Sequence, residues 1–218
     1  MRAEEIRSNI EALEARIAAA CARAGRSRGD VHLVAVSKTF PAGDVDHAIA
    51  AGMTDIGENK VQEARDKKPS VAGSARWHLI GHLQSNKAKD AVRLFDVIQT
   101  VDSIELAERI ARLAEKRQEI LLQVNIGREP QKSGVDPSRA AELAKRIAAV
   151  PELQLSGLMT IPPAGEAEEM RPYFRELRAM RDDLGLRELS MGMTDDFEVA
   201  IEEGATIIRV GRAIFGAR

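Results

Sequence analysis

Residues 31–58, VHLVAVSKTFPAGDVDHAIAAGMTDIGE, hold the reading that decides the fold. Val31 to Lys38 is an apolar run closed by a lysine, the pattern of a strand buried on both faces. A turn and a helical stretch near residues 42–51 follow at once, and a second short run occupies 54–58. One strand, one helix and the next strand thus fit into 28 residues (31 through 58).

The same alternation continues down the chain. Strands are predicted at 31–38, 54–58, 76–81, 96–101, 119–126, 153–161, 188–192 and 206–211. Helices are predicted near 42–51, 60–68, 84–93, 103–117, 136–149, 166–184 and 194–203. Ser103 is a helix-capping residue, and Thr194, Asp195 and Asp196 put an oxygen-rich cluster at another helix start. Met170, Tyr173, Phe174, Leu177, Met180 and Leu184 have the spacing of one buried helix face. Ahead of all this, Ile6, Ile10, Leu13 and Ile17 mark an amphipathic helix that ends at Gly25. About eight β-then-α units in roughly 200 residues predict a closed (β/α)8 barrel, with an open doubly wound sheet as the rival. No Pro/Gly/Ser-rich linker interrupts the pattern. Residues 1–218 therefore read as one barrel domain, with residues 1–25 as an extra helix packed on it, capping its lower end.

Composition narrows the function. Lys and Arg number 32 against 34 Asp and Glu, a formal charge of -2, which argues against nucleic-acid or anionic-membrane binding. Aromatics are only 3%, so platforms for stacking bases are scarce. Cys21 is the only cysteine, which excludes an internal disulfide and a multi-cysteine metal site. No run is apolar enough for a signal peptide or membrane span, so a cytoplasmic, soluble protein is expected.

Polar side chains gather at the predicted strand ends: Lys38, Glu58, Asn59, His78, His82, Asp102, Asn125, Thr160, Ser190 and Arg209. In a barrel these ends form one rim, where such folds place their sites. Val34, Val36 and Lys38 share a strand face, so an inward Lys38 amine would sit above an aliphatic core. Partial desolvation there favours the neutral amine, the form that bonds to an aldehyde. The alternative is a lysine snorkelling from a strand end. Gly192 and Gly211 follow the seventh and eighth strands, the usual phosphate site of a barrel, and Ser190 can donate to the same anion. Arg209 shares a face with Gly211 and, if buried, needs a partner. A ring nitrogen of a ligand would serve, as would Asp102 or Glu58. Amine, phosphate cradle and arginine together are what pyridoxal 5′-phosphate (PLP) requires.

The chain closely resembles the YggS/PROSC family of PLP-binding proteins, the pyridoxal phosphate homeostasis proteins. The resemblance covers almost the whole chain. It rests on Val34-Ala-Val-Ser-Lys-Thr39, Gly57-Glu-Asn59 with Val61-Gln-Glu63, Trp77-His-Leu-Ile-Gly-His-Leu-Gln-Ser-Asn-Lys87 and Lys132-Ser-Gly134. Gly157-Leu-Met-Thr160, Leu189-Ser-Met-Gly-Met-Thr194 and Arg209-Val-Gly-Arg212 complete it. It implies a barrel like the amino-terminal domain of alanine racemases. It also implies that Lys38 forms an internal aldimine (a Schiff base), that Asn59 lies beside the cofactor and that Arg209 faces the pyridine nitrogen. Ser190, Gly192 and Gly211 would hold the phosphate. Thr194 stands where serine is common and Lys60 where an aromatic or arginine often follows, neither on a position expected to bind the cofactor.

Other candidates are weaker. His78 and His82 lack a third ligand, so no metal is expected. His78 reads as a rim residue and His82 as a loop cap. Asn86-Lys-Ala-Lys89 reads as a solvated helix face, and Lys132 as a loop lysine near the rim. The resemblance points to a protein of PLP (vitamin B6) homeostasis, with apo PLP-enzymes as possible recipients. A low-efficiency amino-acid racemase and an RNA-associated scaffold are the alternatives. Alanine racemases draw a second base, a tyrosine, from a further domain. No such domain follows Phe215-Gly-Ala-Arg218, and Tyr173 falls on a helical core face, so a binder without significant turnover is expected; the amphipathic helix at residues 3–23 could cap the barrel's lower end or pair with another chain, and the cap and a monomer are expected.

Overall fold

In the computed structural model, which describes residues 1–216, eight parallel strands pair in chain order and the eighth returns to the first. The strands are β1 (His32–Val36), β2 (Asp55–Glu58), β3 (Arg76–Leu79) and β4 (Val97–Val101), then β5 (Gln118–Gln123), β6 (Leu153–Met159), β7 (Glu188–Ser190) and β8 (Ile207–Val210). Around them lie α1 (Arg2–Arg23), α2 (Ala42–Ala50), α3 (Val61–Lys67), α4 (Ala88–Leu94) and α5 (Ile104–Leu113). The rest are α6 (Pro137–Ala148), α7 (Arg171–Asp183), α8 (Phe197–Glu202) and α9 (Arg212–Phe215). The fold is the expected (β/α)8 barrel with an extra amino-terminal helix.

Most strands stop one to three residues short of their apolar runs at the carboxyl end. β1 ends at Val36 rather than Lys38, and β6 at Met159 rather than Ile161. A strand continues only while a neighbour pairs with it, and here the chain bends outward into the βα loops. The residues left over build the rim. Helix starts follow local chemistry. The Ser103 side chain accepts from the Leu106 N–H at 3.3 Å to open α5, and Asp136 caps α6 ahead of Pro137. The stretch predicted as one helix from 166 begins as a 3-10 turn at Ala167–Met170, and α7 proper starts at Arg171. Pro172 explains the break: it has no N–H to give and is tolerated only in the first turn.

The position of α1 differs from expectation. It lies along the flank against α2, α8 and α9, not beneath the barrel. Arg2, at its start, bonds the Asp44 carboxylate at 2.6 Å and the Phe215 carbonyl at 2.9 Å, and Arg23, at its end, bonds Glu202 at 2.8 Å. The helix that follows β8 is only four residues long, so α1 supplies the cover this seam would otherwise lack. Its Ile6, Ile10, Leu13 and Ile17 are buried, each stabilising by about 1.5–3 kcal/mol on removal from water.

The core has two compartments. One lies between strands and helices and includes Trp77, Phe174, Phe197 and Phe215. The other is a separate small cluster of Val34, Leu121, Met159 and Ile207 inside the barrel. Much of the remaining interior is polar: Asp55, His78, Gln99, Ser190 and Arg209 are all buried. No helix among the described residues is long and apolar enough to cross a membrane.

Candidate cofactor-binding site

A cavity of about 640 Å³ opens at the carboxyl ends of the strands. Lys38, Asn59, Arg209 and Gly211 line it, with Val36, Ile80 and Ile161 as its apolar wall and Met193, Thr194, Asp195 and Arg212 from the last two βα loops. Four of the six residues nominated from sequence therefore meet in one place.

Lys38 sits two residues past β1, half-buried, on a turn that a tight set of contacts holds. The next residue, Thr39, has a φ of 68°, costly for a β-branched side chain. Its hydroxyl donates to the Lys38 carbonyl at 2.5 Å, and its N–H donates to Glu63 at 3.1 Å. Behind the turn, the Ser37 hydroxyl donates to Glu58 Oε1 at 2.7 Å, and Lys67 donates both to that oxygen and, at 2.7 Å, to the Ser37 carbonyl. Because Ser37 precedes Lys38 and Glu58 precedes Asn59, this buried ion pair fixes both segments that deliver those residues to the cavity. Burial pushes the Glu58 carboxyl above its usual range, and the hydrogen bonds from Lys67 and Ser37 only partly offset it.

Arg209 is 3% exposed. Its Nη1 donates to Ser190 Oγ and its Nη2 to the Thr160 carbonyl, each at 2.7 Å. Burial pushes the guanidinium down to about 10, while the charge of Asp196 works in the opposite direction. Neither Asp102 nor Glu58, the structural partners weighed from sequence, bonds to it.

Ser190 and Gly192 are not on the cavity wall. The Ser190 hydroxyl accepts from Arg209 and donates to Gln99 Oε1 at 2.7 Å, so it supports the arginine from below. Gly192 has a φ of 90°, and an added Cβ would fall 2.6 Å from Ala200 Cβ and 3.0 Å from Phe197 Cα. Its glycine lets α8 pack against the loop. Gly211 does line the cavity, and a Cβ there would meet the Val36 carbonyl at 3.0 Å. Gly211 caps α9, whose first N–H groups have no acceptor within the helix.

The other strand-end residues scatter. Glu58 turns outward to α3. His78 is not on the rim; it lies in the interior, bonded to Asp55 at 2.8 Å, because strand alternation turns it inward low on β3. Asp102 accepts from the Gly134 N–H at 3.3 Å beside a separate groove. Asn125 braces its own loop by donating to the Glu129 carbonyl at 2.8 Å. Thr160 offers Arg209 its carbonyl, its hydroxyl donating to Val124. His82 is exposed beside Ser133, and Lys132 ties two loops together by donating to the Pro162 carbonyl at 2.9 Å.

Sequence reasoning missed the loop residues. Thr194, placed outside the cofactor positions, lines the cavity, as do Asp195 and Arg212, which form an ion pair at its mouth. Proximity to Gly192 and Gly211 was the available signal, but loop paths have no periodicity to read. The cavity thus offers an amine, two guanidinium groups, a hydroxyl and a glycine at a helix start. That donor set fits a small anionic aldehyde, and the one carboxylate on the wall, Asp195, is already paired.

Comparison with known proteins points the same way. Residues 8–218 match the family described as alanine racemase, N-terminal domain. A pyridoxal phosphate homeostasis protein of Pseudomonas aeruginosa is 44% identical over 223 residues, covering 98% of this chain and 96% of its own. Among solved structures, PipY of Synechococcus elongatus PCC7942 with PLP bound has a TM-score of 0.85 at 38% identity, covering 97% of this chain and 100% of that one. An unknown protein from Bifidobacterium adolescentis has a TM-score of 0.92 at 41% identity, with 98% and 96% covered.

Proposed function

The chain belongs to the pyridoxal phosphate homeostasis protein family, and from that premise we propose that it holds PLP on Lys38 and serves intracellular homeostasis of that cofactor. The observation that carries the reading is the meeting of Lys38, Arg209 and Gly211 on one cavity at the barrel's carboxyl end. The relative solved with PLP bound supports it.

When bound, PLP supplies an aldehyde that bonds covalently to an amine and a ring that draws electrons from that bond. The residues divide the work. Lys38 Nζ is the nucleophile, held by a turn that the Glu58–Lys67 pair anchors. Arg209 would meet the ring nitrogen as a donor; a guanidinium only donates, so that nitrogen would be kept as an acceptor. Gly211 and the start of α9 would take the phosphate together with Thr194, and Asn59 would flank the ring. Ser190 acts through Arg209 and Gly192 through the packing of α8, so both support the site without touching its ligand.

Retention, not turnover, follows from the wall chemistry. Moving a proton from one face of a bound amino acid to the other needs two acid–base groups on opposite sides. Besides Lys38, only Asp195 on the wall could take a proton, and it stands 77% exposed beside Arg212, open to water rather than enclosed as a proton-transfer partner. Tyr173 lies on α7, packed against the helix-side core. We infer further that the recipients are apo forms of PLP-dependent enzymes in the cytoplasm. The chain acts as a monomer: Met1 and Ile161 are the only large exposed hydrophobics among the described residues.

Purified protein incubated with PLP should gain an absorption band near the visible edge. Borohydride should fix the label to the peptide containing Lys38, and Lys38→Ala should abolish the band. A band that survives in that variant sinks the assignment. Single-enantiomer amino acids incubated with the loaded protein should keep their configuration; turnover at ordinary enzymatic rates would favour the racemase reading.

A further inference from the structure

Arg209 is one end of a hydrogen-bond chain through the barrel interior. Its Nη1 donates to Ser190 Oγ at 2.7 Å, and Ser190 Oγ donates to Gln99 Oε1 at 2.7 Å. Gln99 Nε2 meets His78 Nδ1 at 2.9 Å, and His78 Nε2 meets Asp55 Oδ1 at 2.8 Å. The five side chains come from β8, β7, β4, β3 and β2, and the most exposed of them, Asp55, is 6% accessible. Asp55 and His78 border a second cavity of about 360 Å³ at the opposite, amino-terminal mouth.

The two ends fix every proton between them. A guanidinium only donates, so Ser190 Oγ accepts from it and gives its single hydrogen to Gln99. The Gln99 carbonyl oxygen is thereby committed to Ser190 and its amide to His78. A donating amide makes His78 Nδ1 the acceptor, which leaves the ring hydrogen on Nε2, facing the Asp55 carboxylate. Every donor points the same way, from the cation at the upper cavity to the anion at the lower one.

We propose that Gln99, His78 and Asp55 are positioning residues for Arg209, which orient it toward the cofactor ring through a chain of bonds that runs to the far mouth. This rests on the PLP reading given above. A carboxylate placed directly against Arg209 would satisfy it more simply, but would also cancel its field at the ring nitrogen. Neutral links leave that field in place, and successive bonds polarise one another in the same sense. Each link also holds its neighbour in one rotamer, so the guanidinium plane is set by groups that never touch the ligand.

The test uses full-length protein loaded with PLP, read by absorbance, by fluorescence of the bound cofactor and by its release rate. Gln99→Leu should displace the band and speed release about tenfold, the low end of what losing a supporting partner costs a metal ligand. Asp55→Asn should displace the band in the same direction by less, although it lies at the other mouth. Gln99→Glu buries a carboxylate one link from Arg209 and cannot donate to His78 Nδ1, so it should displace the band and speed release at least as much as Gln99→Leu. Circular dichroism and thermal unfolding establish that each variant folds; should Gln99→Leu fail to, the near-isosteric Asp55→Asn carries the test. Unchanged bands and release rates in the folded variants overturn the proposal. A parent protein with no band, or a band that outlives Lys38→Ala, instead overturns the PLP reading itself.

Discussion

Lys67→Met strips the ammonium from a carboxylate that has no route to water. Glu58 is fully buried, and its Oε2 has no hydrogen-bond partner. Its other oxygen is shared by Lys67 and Ser37. Removing one partner of such a pair leaves an uncompensated buried charge, which costs about 3–5 kcal/mol. The lost bond to the Ser37 carbonyl, worth about 1 kcal/mol, falls within that range. The deficit should also depend on pH. Burial already raises the Glu58 pKa above its ordinary 4.5, and Lys67 is the main force pulling it back. A carboxyl whose folded pKa is raised contributes stability that is fully present below its unfolded pKa and lost as pH rises through the folded one. In Lys67→Met the folded pKa moves further up. The variant should therefore look mildest near pH 5 and reach its full deficit near pH 8. Urea unfolding at both pH values measures this, with Glu58→Leu/Lys67→Met as the control. That double variant should lie within about 2 kcal/mol of the parent, because apolar replacement of a buried pair is often neutral. A loss below about 1 kcal/mol at pH 8, or one that ignores pH, refutes the reasoning. Since the pair anchors the turns bearing Lys38 and Asn59, release of PLP should quicken in the same variant.

Three further outcomes are expected. Gly192→Ala combines a φ of 90° with a Cβ 2.6 Å from Ala200, and should cost about 2–4 kcal/mol by thermal or urea unfolding. Asp55→Asn should flatten the acid limb of the stability curve. Burial pushes the Asp55 carboxyl up, but bonds from His78 and Thr54 outweigh it and hold it below 3.8, so its contribution is present above that value and lost as pH falls through the folded one. Stability measured from pH 5 to pH 2 checks this, and an unchanged limb would count against it. Arg212→Gln should leave stability within about 1 kcal/mol, because its exposed pair with Asp195 is weak, yet should weaken retention of PLP.

Much of this was legible in the sequence, for identifiable reasons. Buried parallel strands are written as short apolar runs, and their ends as the first polar residue after each run. Counting by two from Val34 therefore located Lys38, and from Gly211 it located Arg209. The inner half of the site was not legible in this way. Gln99 reads as a polar residue within an apolar run, and nothing local says that barrel closure brings it to Ser190, 91 residues away. His78, expected on the rim as a polar residue ending the third strand, lies within β3 and turns into the interior, which a polar strand-end pattern does not distinguish. Thr194, Asp195 and Arg212 come together through loop paths, which carry no period.

The seam between β8 and β1 has a consequence for how the chain is made. A helix made well before the last strand is the one that covers it. Ile6, Ile10, Leu13 and Ile17 have α8 and α9 as partners, and Asn9 bonds the Ile214 carbonyl at 2.9 Å. At about 5–20 residues per second, α1 waits on the order of ten seconds or more before those partners exist. During synthesis α2 is the one helix partner available early, and the part of the apolar face that α8 and α9 will cover stays exposed. A slow stretch of translation anywhere between α1 and α9 would lengthen that exposure.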